Sequence, residues 1–189
     1  MFSDQLQDLL PDLRAYARLL CGDSTRADDI VQNACLRAWQ SRESFDPDKG
    51  PLRGWLFRIV RNEFYSQTRN EKRRRTEAST LFEEEFVAEC TIDARSDLSR
   101  MLQAVQSLKD AQRDAFLLVV AAGFTYEEAG EVLGCSAGTV KSRVSRARDV
   151  ALGRFHSEHW AHPAADESSS PINQLHDALN RIQRRPPAA

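Results

Sequence analysis

A short basic segment near residue 140 carries the side chains best suited to binding chemistry. From Thr139 to Arg148 there are four basic residues and no acidic one, and Val140 and Val144 recur at helical spacing. The polar positions that remain are Lys141, Ser142, Arg143, Arg146 and Arg148. Such a helix could be a solvated basic face, or it could contact the phosphates and base edges of DNA.

The residues before this segment predict a second short helix, joined to the basic one by a tight turn. Thr125 and Glu128 have the spacing of a capping box, and Gly134 can take the left-handed conformation that ends a helix. Ser136 can then cap the basic helix. Gly130 lies within the first helix, where glycine costs about 1 kcal/mol relative to alanine, so we expect close packing of the two helices to require it. The pattern favours a helix-turn-helix that enters a DNA groove.

Charge is segregated along the chain, although the net charge is only −2. Residues 53–75 contain eight basic and two acidic residues, whereas residues 76–97 contain one basic and seven acidic. A basic block followed by an acidic one indicates a nucleic-acid surface joined to a solvated linker.

Hydrophobic periodicity predicts helix almost throughout, and no alternating strand pattern competes with it. Besides the two helices above, the predicted helices are Leu6 to Leu20, Arg26 to Gln40, Leu52 to Arg69, Leu98 to Ser107 and Ala111 to Ala122. We therefore expect an all-α protein with two small helical domains, residues 6–75 and 98–155, and a flexible acidic linker at 76–97. Residues 156–189 would be a tail, either disordered or with a short amphipathic helix around Ile172, Leu175, Leu179 and Ile182.

Several classes of protein are disfavoured by composition. The four cysteines show no CxxC spacing and no nearby paired histidines, so we expect small apolar residues rather than a zinc site or disulfides. The four histidines lie in the tail without a nucleophile, a phosphate loop or a carboxylate pair, so we expect no enzyme, no catalytic residues and no cofactor. No apolar run could span a membrane and no signal peptide is evident, which predicts a soluble, cytoplasmic protein.

Two predicted helices of the first domain have polar faces that could bind a partner. The helix Arg26 to Gln40 places its apolar residues, including Trp39, on one side. Its other side shows Asp28, Asp29, Gln32, Asn33 and Arg37, which could equally be a solvated face.

The helix Leu52 to Arg69 is expected to bury Trp55, Leu56, Ile59 and Val60. Its polar positions hold Arg58, Arg61, Asn62, Tyr65 and Arg69. Arginines alternating with aromatic residues suit single-stranded DNA, because cations bind phosphate and rings stack on bases. For Phe64 and Tyr65, simple packing is the alternative.

Three segments in order, ADDIVQNACLRAW, WLFRIVRN and YEEAGEVLGCSAGTVKSRVSRAR, resemble the extracytoplasmic-function group of bacterial sigma factors over roughly residues 6–155. The resemblance implies that the first domain is sigma region 2, which binds the clamp of the polymerase β′ subunit and melts the minus-ten promoter element. The second domain would be region 4, which reads the minus-thirty-five element.

The resemblance also assigns roles to single residues. The clamp contacts would be Asp29, Gln32, Asn33 and Arg37. The minus-ten contacts would be Arg58, Ile59, Arg61, Asn62, Tyr65 and Arg69. The minus-thirty-five contacts would be Lys141, Ser142, Arg143, Arg146 and Arg148. Core RNA polymerase and promoter DNA are thus the expected partners.

Two positions depart from the family pattern, since Asn33 and Ser66 stand where many members have an acidic residue. The segments LPDLRAYARLLCGD and RNEFYSQTR resemble the alphaproteobacterial general-stress-response subgroup, in which an anti-sigma factor holds the sigma factor inactive. An anti-sigma factor is therefore a further expected partner.

Two other functions fit parts of the sequence. A conventional helix-turn-helix regulator would bind duplex DNA without polymerase, but the basic helix containing WLFRIVRN argues against it. A sigma-like decoy that sequesters an anti-sigma factor should lack the cations of the basic helix and carry a receiver domain, and neither condition is met.

Overall fold

The computed structural model describes residues 2–78 and 97–157, and within these ranges it contains helices and no strand. The helices are α1 (Phe2–Cys21), α2 (Ser24–Gln40), α3 (Leu52–Ala78), α4 (Asp97–Gln106), α5 (Asp110–Phe116), α6 (Tyr126–Leu133) and α7 (Ala137–Ser157). The all-α prediction is confirmed. None of the helices described is both long enough and apolar enough to cross a membrane. The predicted tail helix around Ile172 lies outside the described residues.

The observed helices differ from the predicted ones mainly at their ends. Helix α3 continues to Ala78, nine residues past its predicted end at Arg69, because residues 70–78 are mostly good helix formers that lack an apolar stripe. Helix α5 passes at Leu117 into a π-helical turn, Leu117–Ala121. The predicted loop between α2 and α3 contains two short 3₁₀ turns, Arg42–Ser44 and Pro47–Lys49.

Helices α1, α2 and α3 pack together as the first module. Asp23 caps α2 by accepting a hydrogen bond from the Arg26 amide at 2.6 Å. The predicted apolar side of α2 is buried at Ala27, Ile30, Val31, Ala34 and Ala38. The prediction was wrong for Trp39, which is 49% exposed. On α3, Phe57 is buried although the sequence did not predict it, and Trp55 and Ile59 are only partly buried.

Cys21 lies in the core of this module, at the end of α1. Burial raises the pKa of its thiol to about 12, so the side chain stays protonated. This agrees with the expected role of a small apolar residue. Cys90 lies outside the described residues.

Helices α4 to α7 form the second module, in which α7 packs against α4, α5 and α6. The apolar positions Val132, Val140, Val144, Ala147 and Ala151 are buried there. The spacing of Val140, Val144, Ala147 and Ala151 leaves the opposite side of α7 free for another surface.

The two modules also pack against each other, where α3 meets α6 and where α1 meets the π-helical turn and α4. The rings of Phe57 and Phe124 meet edge to face at 4.9 Å between centroids. The guanidinium of Arg53 lies 4.1 Å from the centre of the Phe124 ring and donates a hydrogen bond to the carbonyl of Ala122. The buried residues thus form one cluster that runs through both modules.

Candidate nucleic-acid interface

The helix-turn-helix begins at the capping box that the sequence predicts. The Glu128 amide donates to the Thr125 hydroxyl at 3.1 Å, and the Thr125 amide donates to the Glu128 carboxylate at 2.8 Å. Gly134 ends α6 with a φ of 67°, in the left-handed region where a side chain would be strained. These features fix both ends of α6 and confirm the predicted turn.

Gly130 brings α6 close to the turn. A Cβ at this position would lie 2.6 Å from the carbonyl oxygen of Cys135, much closer than atoms can approach. The Gly130 carbonyl accepts a hydrogen bond from the Cys135 amide at 3.0 Å, which holds the two segments at that separation. The expectation that close packing explains this glycine is confirmed.

The first turn of α7 is ordered by hydroxyl groups. The Thr139 amide donates to the Ser136 hydroxyl at 3.3 Å, so Ser136 is the predicted cap. The Ser142 hydroxyl donates to the Thr139 carbonyl at 2.9 Å. These bonds fix the direction in which the start of α7 presents its side chains.

The five predicted minus-thirty-five residues are not equivalent on α7. Ser142 and Arg146 are one turn apart and lie opposite the buried valines. Lys141 and Arg148 are exposed on one flank of this face. Arg143 is on the other flank, half-buried, with its guanidinium 3.6 Å from the sulfur of Cys135. The outward face of α7 is therefore centred on Ser142 and Arg146.

Four of the predicted minus-ten residues share one face of α3. Arg58, Asn62, Tyr65 and Arg69 are separated by four, three and four positions, which places them in a row along the helix. Arg58, Asn62 and Arg69 are exposed, and Arg58 also donates to the Glu131 carbonyl at 2.5 Å. Ile59 is half-buried beside this row, and Phe64 is buried, so packing explains the Phe64 ring.

A buried carboxylate of the second module contacts the same helix. Asp114 is fully buried and receives a hydrogen bond from Arg61 Nε at 2.6 Å and another from the Tyr65 hydroxyl at 2.8 Å. We call these three residues the Asp114 cluster. Sequence reasoning missed it, although an aspartate directly before the apolar run AFLLVV is a visible signal of a buried charge.

Burial dominates the electrostatics of this cluster. It raises the pKa of the Asp114 carboxyl, while the Arg61 charge and the hydrogen bonds from Arg61 and Tyr65 act in the opposite direction. Burial also raises the pKa of the Tyr65 phenol, and the nearby Asp114 charge adds to the shift. Tyr65 therefore stays protonated and able to donate to the carboxylate.

The predicted polymerase face of α2 is polar with an apolar centre. Asp29, Gln32 and Asn33 are exposed, and Leu36 lies among them with 55% of its surface exposed. Arg37 is different, because its Nε is 2.8 Å from the carboxylate of the buried Glu63 on α3. Charge reversal at Arg37 would therefore disturb the module itself.

Two family models match the chain: sigma-70 region 2 at residues 6–74 and sigma-70 region 4 at residues 98–149. The chain is also 39% identical over 145 residues to the ECF RNA polymerase sigma factor EcfG of Rhodopseudomonas palustris, a match that covers 77% of this chain and 80% of that protein. The chain belongs to the extracytoplasmic-function sigma factors. A sigma factor directs RNA polymerase and leaves the chemistry of RNA synthesis to that enzyme.

Two solved structures resemble this sigma factor. The first is the sigma factor RpoE in complex with the anti-sigma factor NepR from Bartonella quintana, with a TM-score of 0.70 and 37% identity over 84% of this chain and 98% of that one. The second is CnrH in complex with the cytosolic domain of CnrY, with a TM-score of 0.63 and 27% identity over 84% and 89% of the two chains. The likeness spans both modules.

Proposed function

We propose that this sigma factor brings core RNA polymerase to stress-response promoters by reading the minus-thirty-five element with the outward face of α7. The observation that carries the proposal is that Ser142 and Arg146 are presented opposite the buried valines, on a helix whose start is fixed by Ser136. A helix placed in this way fits the major groove of B-DNA.

The first module, residues 6–75, would open the minus-ten element. The row on α3 that contains Asn62 and Arg69 combines an amide, cations and a phenol ring, which suits an unpaired strand. Asn62, with Arg58 and Ile59 one turn earlier, would border the pocket for a flipped base. Holding that base outside the duplex stabilises the melted promoter.

The exposed face of α2 would bind the polymerase clamp. Leu36 supports this role, since an exposed leucine surrounded by Asp29, Gln32 and Asn33 resembles the apolar centre and polar rim of a protein interface. The exposed Trp39 extends the apolar surface by one turn and stacks on the guanidinium of Arg42 at 5.1 Å. This arrangement favours an interface over a merely solvated face.

An anti-sigma factor would control this chain in the cytoplasm. The support is the likeness to RpoE, which was solved in complex with the anti-sigma factor NepR, and to CnrH, which was solved in complex with the cytosolic domain of CnrY. Release from the inhibitor would then couple promoter recognition to a stress signal.

Run-off transcription with purified core polymerase tests the proposed function as a whole. Sequencing the RNA 5′ ends from a genomic template pool should reveal one promoter class with shared minus-ten and minus-thirty-five sequences. Random start sites, or no transcript above core polymerase alone, would refute the proposal.

Arg146→Ala should weaken binding to the mapped promoter by about 1–3 kcal/mol, because a contact to a base or phosphate is lost from the centre of the α7 face. Affinity for core polymerase, measured by fluorescence anisotropy, should not change. Lys109→Ala removes an exposed cation from the same module and serves as the control. If the two variants lose promoter affinity equally, promoter binding depends only on the overall positive charge of the module. If the affinity for polymerase falls instead, α7 serves a protein interface.

Asp29→Lys should lower the affinity for core polymerase on the order of tenfold, because it reverses a charge at the rim of the proposed interface. The fold should be retained, since Asp29 is exposed. Asp8→Lys makes the same change at an exposed position of α1 and should bind polymerase as the wild type does. Wild-type assembly by Asp29→Lys would make this side of α2 a solvated face.

A further inference from the structure

We infer that the Asp114 cluster is an intramolecular latch that holds the second module over part of the minus-ten surface until the two modules separate. The inference rests on the proposed role of α3 in binding the minus-ten strand. It adds a conformational step that must precede that binding.

The chemistry of the cluster resembles that of a phosphate contact. Asp114 offers one carboxylate oxygen to Arg61 Nε at 2.6 Å and the other to the Tyr65 hydroxyl at 2.8 Å. Guanidinium and hydroxyl groups are the donors that proteins direct at phosphate oxygens. The carboxylate of the second module thus occupies donors that a DNA strand would need, so the two contacts exclude each other.

Other contacts between the modules engage the same part of α3. Arg58 donates to the Glu131 carbonyl at 2.5 Å, and the Phe57 ring packs against Phe124. Of the predicted minus-ten residues, Arg58, Arg61 and Tyr65 are therefore held by the second module. Arg58 is nevertheless exposed, as are Asn62 and Arg69, whereas Arg61 and Tyr65 are half-buried, so the closed form covers only part of the surface.

Asp114 is the contact on which the closed form should depend most. A buried carboxylate is unfavourable unless it is paired and hydrogen-bonded, and both donors come from the other module. Without the Asp114 charge, Arg61 loses its ionic partner in the second module. The interface should then open more often, which exposes the Phe57 and Phe124 rings that meet there, while the helices within each module stay packed on one another.

A distance measurement tests the latch without DNA. Donor and acceptor dyes are placed at Gln40→Cys and Asp149→Cys, both exposed, in a chain whose Cys35, Cys90 and Cys135 are replaced by serine. Asp114→Asn should lower the energy transfer between the dyes, and Glu127→Gln, which removes an exposed charge from the same module, should not. Unchanged transfer in an Asp114→Asn chain with wild-type circular dichroism would overturn the latch.

A second measurement tests whether the closed form blocks the minus-ten surface of α3. It uses a fluorescent single-stranded oligonucleotide that carries the mapped minus-ten sequence. If the open form is about one tenth of the wild-type population, Asp114→Asn should bind this oligonucleotide about tenfold more tightly. A loss of energy transfer with no gain in affinity would overturn the masking. If no variant binds the oligonucleotide, the proposed minus-ten role fails, and the dye distances still decide whether the latch exists.

A reversible disulfide between the two modules tests the same proposal even if Asp114→Asn folds poorly. A Cβ at Gly54 would lie 3.7 Å from Cγ2 of Val132 across the interface, so Gly54→Cys and Val132→Cys place two thiols on either side of this contact for oxidation to a disulfide. The oxidised chain should bind the oligonucleotide at least about tenfold more weakly than the reduced chain. Dithiothreitol should restore binding, and wild-type affinity in the oxidised form would overturn the proposal.

Discussion

Replacing Gly130 with alanine is expected to destabilise the second module by about 3 kcal/mol and to abolish its binding to duplex promoter DNA. The added Cβ would lie 2.6 Å from the carbonyl oxygen of Cys135. That oxygen belongs to the backbone of the turn, which is held by the hydrogen bond from the Cys135 amide to Gly130, so it cannot move away cheaply. Relief of the clash must shift α7 relative to α6 and so misplace the whole basic face.

Gly153→Ala is the matched control for this substitution. A Cβ at Gly153 meets no atom within 4 Å, and the residue lies in α7, where alanine is favoured over glycine by about 1 kcal/mol. Thermal unfolding should therefore show opposite shifts for the two variants. A Gly130→Ala chain with wild-type stability and promoter affinity would show that the helices need not approach so closely.

Asn62→Ala is expected to reduce transcription from a duplex promoter on the order of thirtyfold, corresponding to about 2 kcal/mol, because the flipped base loses a partner. Since Asn62 is exposed and alanine has the higher helix propensity, the substitution should not unfold α3. A template with a pre-melted minus-ten bubble should recover much of the loss, because base pairing no longer opposes entry of the base.

Asn70→Ala provides the same chemical change two turns further along the exposed part of α3. It should transcribe both templates like the wild type. Equal losses for Asn62→Ala on duplex and bubble templates would argue against a role in melting, and would leave α3 a general DNA-binding surface.

Local features of the helix-turn-helix could be predicted from sequence because each depends on neighbours along the chain. The capping box of Thr125 and Glu128, the left-handed Gly134 and the cap at Ser136 all involve residues within four positions of each other. Side-chain and backbone chemistry determines such contacts without help from the rest of the fold. The same holds for the buried stripe of α7, which follows from helical periodicity.

Predictions of burial were wrong for residues whose exposure depends on their place near a helix end or on contacts with another helix. Trp39 has the spacing of a core residue, but it lies near the end of α2, and 49% of its surface remains exposed. Phe57 was not assigned to the core, although contacts with Tyr16 of α1 and Phe124 of the other module bury it completely. Periodicity identifies a side of a helix and cannot say how much of that side is covered.

The sequence by itself determined the all-α class, the two sigma modules and the exposed residues Arg146 and Asn62, because periodicity, capping and motif order are properties of the chain. Only the tertiary structure decided which of the predicted polar residues are paired within the protein and which are available to bind a partner. Arg37 is paired with the buried Glu63, and Arg61 with Asp114, 53 positions away in the chain. Pairing across such a separation depends on how helices from two modules are placed, and no local pattern encodes that placement.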